Sequence, residues 1–119
     1  SGPFHSKMLT GAGEKLGEVL ASVEVHKPQI PYVANVTAAY VTEADEVKPL
    51  LTKQVSSSVR WQQSVETMLA DGVDTFIEIG PGKTLAGFMR KIDRSAKVYN
   101  VEKLEDVQKV VEALSAQEE

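Results

Sequence analysis

The sequence predicts an α/β fold with three layers, in which helices cover a short, mainly parallel sheet. Segments with apolar residues at helical spacing alternate along the chain with short runs of β-branched and aromatic residues. The run VDTFIEIG is apolar over most of its length, which is typical of a strand covered on both faces. We therefore expect one domain over residues 1–115 and a disordered tail at 116–119.

The individual elements follow from the same patterns. An amphipathic helix is predicted over residues 7–23, directly after the turn SGPFHS, and a strand is predicted at Ile30–Val36. The next helix should start near Asp45 or kink at Pro49, because proline is poorly tolerated inside a helix. The remaining predicted elements are a helix that ends at Gly72, the strand VDTFIEIG, a helix in GPGKTLAGFMRKID, the strand AKVYNV and a closing helix over Leu104–Leu114.

Composition narrows the class of protein. A hydrophobic content of 42% and a charged content of 25% are ordinary for a soluble domain. The net charge of −4 argues against a nucleic-acid-binding surface, and no apolar run approaches the ~20 residues of a membrane span. The absence of cysteine excludes disulfides and thiolate metal sites and favours a cytoplasmic location. No metal site is predicted.

The turn GPGKT, between a strand and a helix, partly matches two nucleotide-binding motifs. A P-loop needs a further glycine at the position of Ile77, so this loop is too short to hold a triphosphate. Gly80 and Gly82 match the first two glycines of a dinucleotide-binding motif, and Glu102 follows where a ribose-binding acid is expected. A tight turn followed by a helix cap explains the same residues. A dinucleotide-binding half-domain therefore stays as an alternative function.

His5 is the candidate catalytic residue. Gly2, Pro3 and Phe4 restrict the backbone before it, and a predicted helix begins directly behind it. Such a setting fixes an imidazole for general-base catalysis. His26 lies between polar neighbours and is interpreted as an ordinary surface residue. The 119 residues contain no G-x-S-x-G motif and no cysteine, so they offer no obvious nucleophile for this base.

Four segments occur in a characteristic order between Ser1 and about Val101: SGPFHS, PYVANVTA, LLTKQV with the following VRW, and DGVDTFIEIGPGKTLAGFMRKI. Together they resemble bacterial malonyl-CoA:acyl carrier protein transacylases. The resemblance implies the carboxy-terminal segment of the large subdomain of an acyltransferase, which has an α/β-hydrolase-like fold. In this family the nucleophilic serine, the oxyanion-hole amides and the malonate-binding arginine lie in the amino-terminal part. The segment alone is therefore expected to be inactive.

The resemblance also implies an activity. It is malonyl transfer from malonyl-CoA to the phosphopantetheine thiol of acyl carrier protein, in fatty acid biosynthesis, through a ping-pong exchange at serine. His5 would be the base, and Gln54 would orient it through a carbonyl instead of the usual aspartate. Phe4 would fill the space that the α-methyl group of methylmalonyl requires. The partner carries the phosphopantetheine, so no cofactor of the segment itself is expected.

Basic residues cluster in and after the helix of GPGKTLAGFMRKI: Lys83, Arg90, Lys91 and Arg94. In the simplest interpretation they complement the negative end of the helix dipole. The resemblance implies that Arg90 and Lys91 also dock the acidic acyl carrier protein. The expected partners are then the carrier protein, malonyl-CoA and the amino-terminal segment of the enzyme, with neither nucleic acid nor membrane among them. A non-catalytic binding or structural fragment is the second alternative.

Overall fold

The computed structural model describes residues 2–117, and the chain divides into two compact units between Met68 and Leu69. The first unit begins with a 3₁₀ turn at Lys7–Leu9. It continues with helix α1 (Thr10–Leu20), strands β1 (Tyr32–Ala34) and β2 (Ala39–Val41), helix α2 (Ala44–Gln54) and most of helix α3 (Trp61–Ala70). The second unit contains strand β3 (Thr75–Ile79), helix α4 (Thr84–Ile92), strand β4 (Lys97–Val101) and helix α5 (Leu104–Gln117).

In the first unit, β1 and β2 form an antiparallel hairpin in which Tyr32 lies opposite Val41. Helix α3 is attached to this hairpin by hydrogen bonds, since the Thr67 hydroxyl donates to the Ala38 carbonyl at 2.7 Å and the Arg60 amide donates to the Asn35 carbonyl at 2.9 Å. The fully buried side chain of Val41 marks the core of this unit.

Helix α2 starts at Ala44, close to the predicted position. A capping box begins it: the Glu43 carboxylate accepts from the Glu46 amide, and the Glu46 carboxylate accepts from the Glu43 amide. The helix continues through Pro49 to Gln54. Its end therefore lies at the residue that the sequence singled out.

Helices α1 and α2 approach each other closely at one glycine. A Cβ atom built on the buried Gly13 would lie 3.0 Å from the carbonyl oxygen of Thr52, which is closer than most Cβ contacts in proteins. Glycine at this position therefore lets α1, which begins shortly after His5, pack against the last turns of α2.

The second unit is a βαβ arrangement. Strands β3 and β4 pair in parallel, with Ile77 opposite Tyr99, and α4 connects them. Ala86 and Met89 of α4 and Val110 of α5 are buried, while both helices contact β4. A parallel pair joined by a helix is the expected connection for this strand order.

The α/β class is confirmed, but the sheet differs in detail from the expectation. Residues 2–117 form two short sheets of two strands, one parallel and one antiparallel. Strand β2 was not predicted, because the turn before it carries Ala38 at a positive φ of 55° instead of a glycine or asparagine that would signal a hairpin. Within residues 2–117, no helix is long and apolar enough to cross a membrane.

Helix α5 continues through Gln117, two residues into the segment predicted as a disordered tail. The last two residues of that predicted tail, Glu118 and Glu119, lie outside the described residues.

Candidate active site

His5 lies in a turn on the surface of the first unit, between Pro3 and the 3₁₀ turn. Its side chain is exposed, and its φ of 59° falls in the left-handed region. For a residue with a Cβ atom this conformation costs roughly 1–2 kcal/mol. Such a conformation persists only where the surrounding contacts impose it.

Two consecutive carbonyls at the end of α2 hold His5. Its backbone amide donates to the Val55 carbonyl at 3.1 Å, and its Nδ1 lies 3.0 Å from the Gln54 carbonyl oxygen. A carbonyl oxygen can only accept, so Nδ1 carries the hydrogen in this contact. In the neutral ring Nε2 then keeps its lone pair and can accept a proton.

The position of these carbonyls follows from the end of the helix. The last four carbonyls of an α-helix have no partner within the helix. Helix α2 ends at Gln54, and the Gln54 carbonyl accepts from two groups outside the helix, the Ser57 amide at 3.3 Å and the ring of His5. The contact predicted between His5 and this main-chain carbonyl is thus present, whereas the catalytic role of both residues stays a prediction.

The side chain of Gln54 has a separate task. Its amide Nε2 donates to the Ser57 carbonyl at 3.2 Å and lies 3.5 Å from the Ser58 carbonyl. These bonds close the turn that follows α2, in the stretch SSSVRW before Trp61. One residue therefore orients the imidazole with its main chain and fixes the local turn with its side chain.

Phe4 lies directly before His5 and is 71% exposed. Its ring folds back over Gly2, where an added Cβ would lie 3.1 Å from Cε2 of the ring. The ring is therefore not part of the hydrophobic core, and its exposed surface can contact a bound substrate.

Arg90 and Lys91 lie in the last turn of α4, in the second unit, and both are exposed. Within residues 2–117 neither side chain forms an ion pair. Their charges are therefore available to an external partner as well as to the helix dipole. No group of three or more histidine, aspartate or glutamate residues in this described range is placed to hold a metal ion.

Glu78 of β3 is a residue that sequence reasoning missed. Its carboxylate accepts from the amides of Leu85 and Ala86, at 3.2 and 3.0 Å, and from Nδ2 of Asn100 at 2.9 Å. Partial desolvation raises the pKa of Glu78, but these three hydrogen bonds outweigh it and the pKa is lowered overall. The sequence feature that could have indicated Glu78 is an acidic residue in an otherwise apolar strand, two positions before the first glycine of the turn.

This contact bears on the dinucleotide alternative. A bound pyrophosphate needs the free amides at the start of the helix after the glycine turn. Here the Glu78 carboxylate already occupies the amides of Leu85 and Ala86 and would repel a second anion. The glycines instead serve the turn itself, since Gly80 and Gly82 have φ values of 134° and 84°. The geometry therefore disfavours a dinucleotide site.

No protein-family model matches the chain. Among curated proteins, the malonyl CoA-acyl carrier protein transacylase of Bacillus subtilis is 40% identical over 114 residues, which cover 96% of this chain and 36% of the relative. The Staphylococcus aureus enzyme of the same name is 39% identical over 107 residues, which cover 90% of this chain and 35% of that protein. The chain thus spans about a third of the length of the curated relatives it matches.

Solved structures that resemble the chain include the same kind of enzyme. The malonyl CoA-acyl carrier protein transacylase of Clostridium perfringens matches with a TM-score of 0.91 and 42% identity, over 99% of this chain and 37% of that one. The resemblance inferred from the motifs is therefore confirmed: the chain is homologous, over nearly its whole length, to the carboxy-terminal part of the malonyl CoA-acyl carrier protein transacylases and has their fold in that part.

Proposed function

We propose that these residues are part of an enzyme that transfers malonyl from malonyl-CoA to the phosphopantetheine thiol of acyl carrier protein, in fatty acid biosynthesis, with His5 as its general base. The observation that carries the proposal is the 3.0 Å contact between His5 Nδ1 and the Gln54 carbonyl. It assigns the hydrogen to Nδ1 and leaves Nε2 as the proton acceptor. The exposed position of the ring gives a substrate access to Nε2.

The chemistry then proceeds in two half-reactions. In the first, Nε2 accepts the proton of a serine hydroxyl while the serine oxygen attacks the malonyl thioester carbonyl. The imidazolium returns this proton to the departing CoA thiolate. In the second, Nε2 accepts the proton of the pantetheine thiol as its sulfur attacks the malonyl-serine ester, and the proton returns to the serine oxygen. The serine would belong to a part of the enzyme outside these 119 residues, which contain no G-x-S-x-G motif.

Gln54 and Phe4 support this base in different ways. The Gln54 carbonyl takes the orienting role that an aspartate has in other triads, without adding a negative charge. Phe4, exposed beside His5, would occupy the space of an α-methyl group and so favour malonyl over methylmalonyl.

We also propose that Arg90 and Lys91 dock the carrier protein. Both are exposed, and within residues 2–117 neither forms an ion pair, so they can attract an acidic partner. A related malonyl-transacylase has been solved in complex with a type II polyketide acyl-carrier protein. It is 31% identical with a TM-score of 0.88, over 93% of this chain and 36% of that one.

The proposed activity is tested by His5→Ala in the complete enzyme, with His26→Ala as the matched control. Loss of a general base typically lowers the rate 10²–10⁴-fold, and we expect a loss of at least this order for His5→Ala. His26 is an exposed histidine that lies 3.7 Å from the Glu24 carboxylate, and its replacement should leave the rate nearly unchanged. The measurement is steady-state malonyl transfer to carrier protein. Comparable rates for the two variants would refute the assignment of His5 as the base.

A further inference from the structure

Ser6, which follows His5, departs from the usual behaviour of a serine at the start of a helical turn. It is the N-cap residue of the 3₁₀ turn at Lys7–Leu9. A serine there commonly accepts a hydrogen bond from an amide of the first turn. Ser6 makes no such bond. Its hydroxyl instead donates to the carbonyl of Pro3 at 2.6 Å.

This bond closes a small loop that has His5 inside it. Pro3 has a fixed φ, and the hydroxyl of Ser6 reaches back across Phe4 and His5 to its carbonyl. His5 is the residue of this loop that adopts the costly left-handed conformation. The Ser6 hydroxyl therefore stabilises this loop from within, while the carbonyls of Gln54 and Val55 bind His5 from the end of α2.

We infer that Ser6 is a positioning residue for the proposed base. By holding the Pro3 carbonyl, its hydroxyl keeps His5 in the backbone conformation from which Nδ1–H reaches the Gln54 carbonyl. This contact in turn keeps Nε2 free of hydrogen. The Ser6 hydroxyl donates to the Pro3 carbonyl and not to the His5 ring, so it does not make the contact through which a base activates a serine. The inference rests on the proposed function of His5.

The chain offers a matched control for the test. The hydroxyl of Ser22 also donates to the carbonyl three residues earlier, that of Val19, at 3.1 Å. It lies beyond the end of α1 and encloses no histidine. Ser6→Ala and Ser22→Ala thus remove the same kind of bond, and only the first removes it around His5.

The first measurement is the steady-state rate of the complete enzyme. A hydrogen bond of this kind contributes on the order of 1 kcal/mol, so we expect Ser6→Ala to lower kcat roughly three- to tenfold with little change in KM. Ser22→Ala should leave kcat unchanged. Ser6→Thr should restore kcat, because it restores the hydroxyl at an extended residue with φ −135° and ψ 161°, where threonine is well tolerated.

The second measurement reports on His5 without turnover. In enzyme labelled with ¹⁵N-histidine, at a pH where the ring is neutral, the ¹⁵N shifts distinguish the two tautomers; His5→Ala assigns the signal. We expect the unmodified enzyme and Ser22→Ala to hold the hydrogen on Nδ1, and Ser6→Ala to gain the tautomer with hydrogen on Nε2. The proposal is overturned if Ser6→Ala matches Ser22→Ala in tautomer population, or if Ser6→Thr does not restore kcat. A tautomer change together with an active His5→Ala enzyme would refute the base and still support the positioning role.

Discussion

His5 is held mainly by main-chain atoms. The carbonyls of Gln54 and Val55 accept from its ring and its amide, and the carbonyl of Pro3 accepts from the neighbouring Ser6. Substitution of the Gln54 side chain leaves its own carbonyl in place. We therefore attribute the orientation of the ring to the backbone path at the end of α2, which side chains influence only indirectly.

Glu78 makes the second unit sensitive to acid. Its pKa is lowered in the folded protein from an ordinary value of 4.5, because the hydrogen bonds from Ala86, Leu85 and Asn100 outweigh partial desolvation. A group with a lowered folded-state pKa stabilises the protein above its unfolded pKa, and this contribution is lost as the pH falls through the folded pKa. The stability that Glu78 contributes should therefore decrease as the pH falls below about 4.5.

Glu78→Gln should lower stability near neutral pH, because a neutral amide accepts less strongly from the two amides at the start of α4. It should also make stability fall less steeply as the pH decreases below about 4.5. Urea unfolding at several pH values measures both effects. Glu112→Gln, which changes an exposed carboxylate that accepts from Gln108, is the control. An equal fall in stability with acid for both variants would contradict this role of Glu78.

At the scale of elements, both groups of proposed functional residues lie at helix ends, one in each unit. The end of α2 provides carbonyls to His5, and the last turn of α4 provides Arg90 and Lys91. The last carbonyls of a helix have no partner within it, so they accept hydrogen bonds from outside the helix and attract positive charge.

The double change Arg90→Glu and Lys91→Glu tests docking by α4. Surface charges act mainly on the rate of encounter and are screened over about 8–10 Å at physiological salt. Transfer to acyl carrier protein should therefore slow, and it should slow most at low salt. Transfer to free pantetheine, which has no acidic body, should stay nearly unchanged. Equal losses with both acceptors would show that the residues serve the fold.

Most helices and strands of the chain were predictable because the spacing of their apolar residues matches the type of element that they form. The apolar residues at helical spacing in GPGKTLAGFMRKID predicted α4, and the apolar run VDTFIEIG predicted β3, each at about its observed position. Strand β2 was missed, since three residues after a turn at Ala38 carry little local signal. The role of Glu78 depends on residues up to 22 positions away, which no local pattern shows.

At the scale of the whole molecule, each unit leaves large apolar side chains in solvent. Ile30 is 82% exposed in the first unit, and Ile79 and Leu104 are 80% and 87% exposed in the second. The chain spans only 36% of the Bacillus subtilis relative. We expect the remainder of the enzyme to cover such surfaces, which sequence patterns within this chain could not reveal.

In the proposed reaction a single histidine, His5, serves as the base in both half-reactions. The most direct measurement is a single-turnover experiment on each half-reaction with His5→Ala. One arm follows CoA release from malonyl-CoA, and the other follows malonyl transfer from the acylated enzyme to pantetheine. We expect both rates to fall by roughly 10²–10⁴-fold, because Nε2 accepts a proton in each step. A normal rate in either half-reaction would contradict the claim.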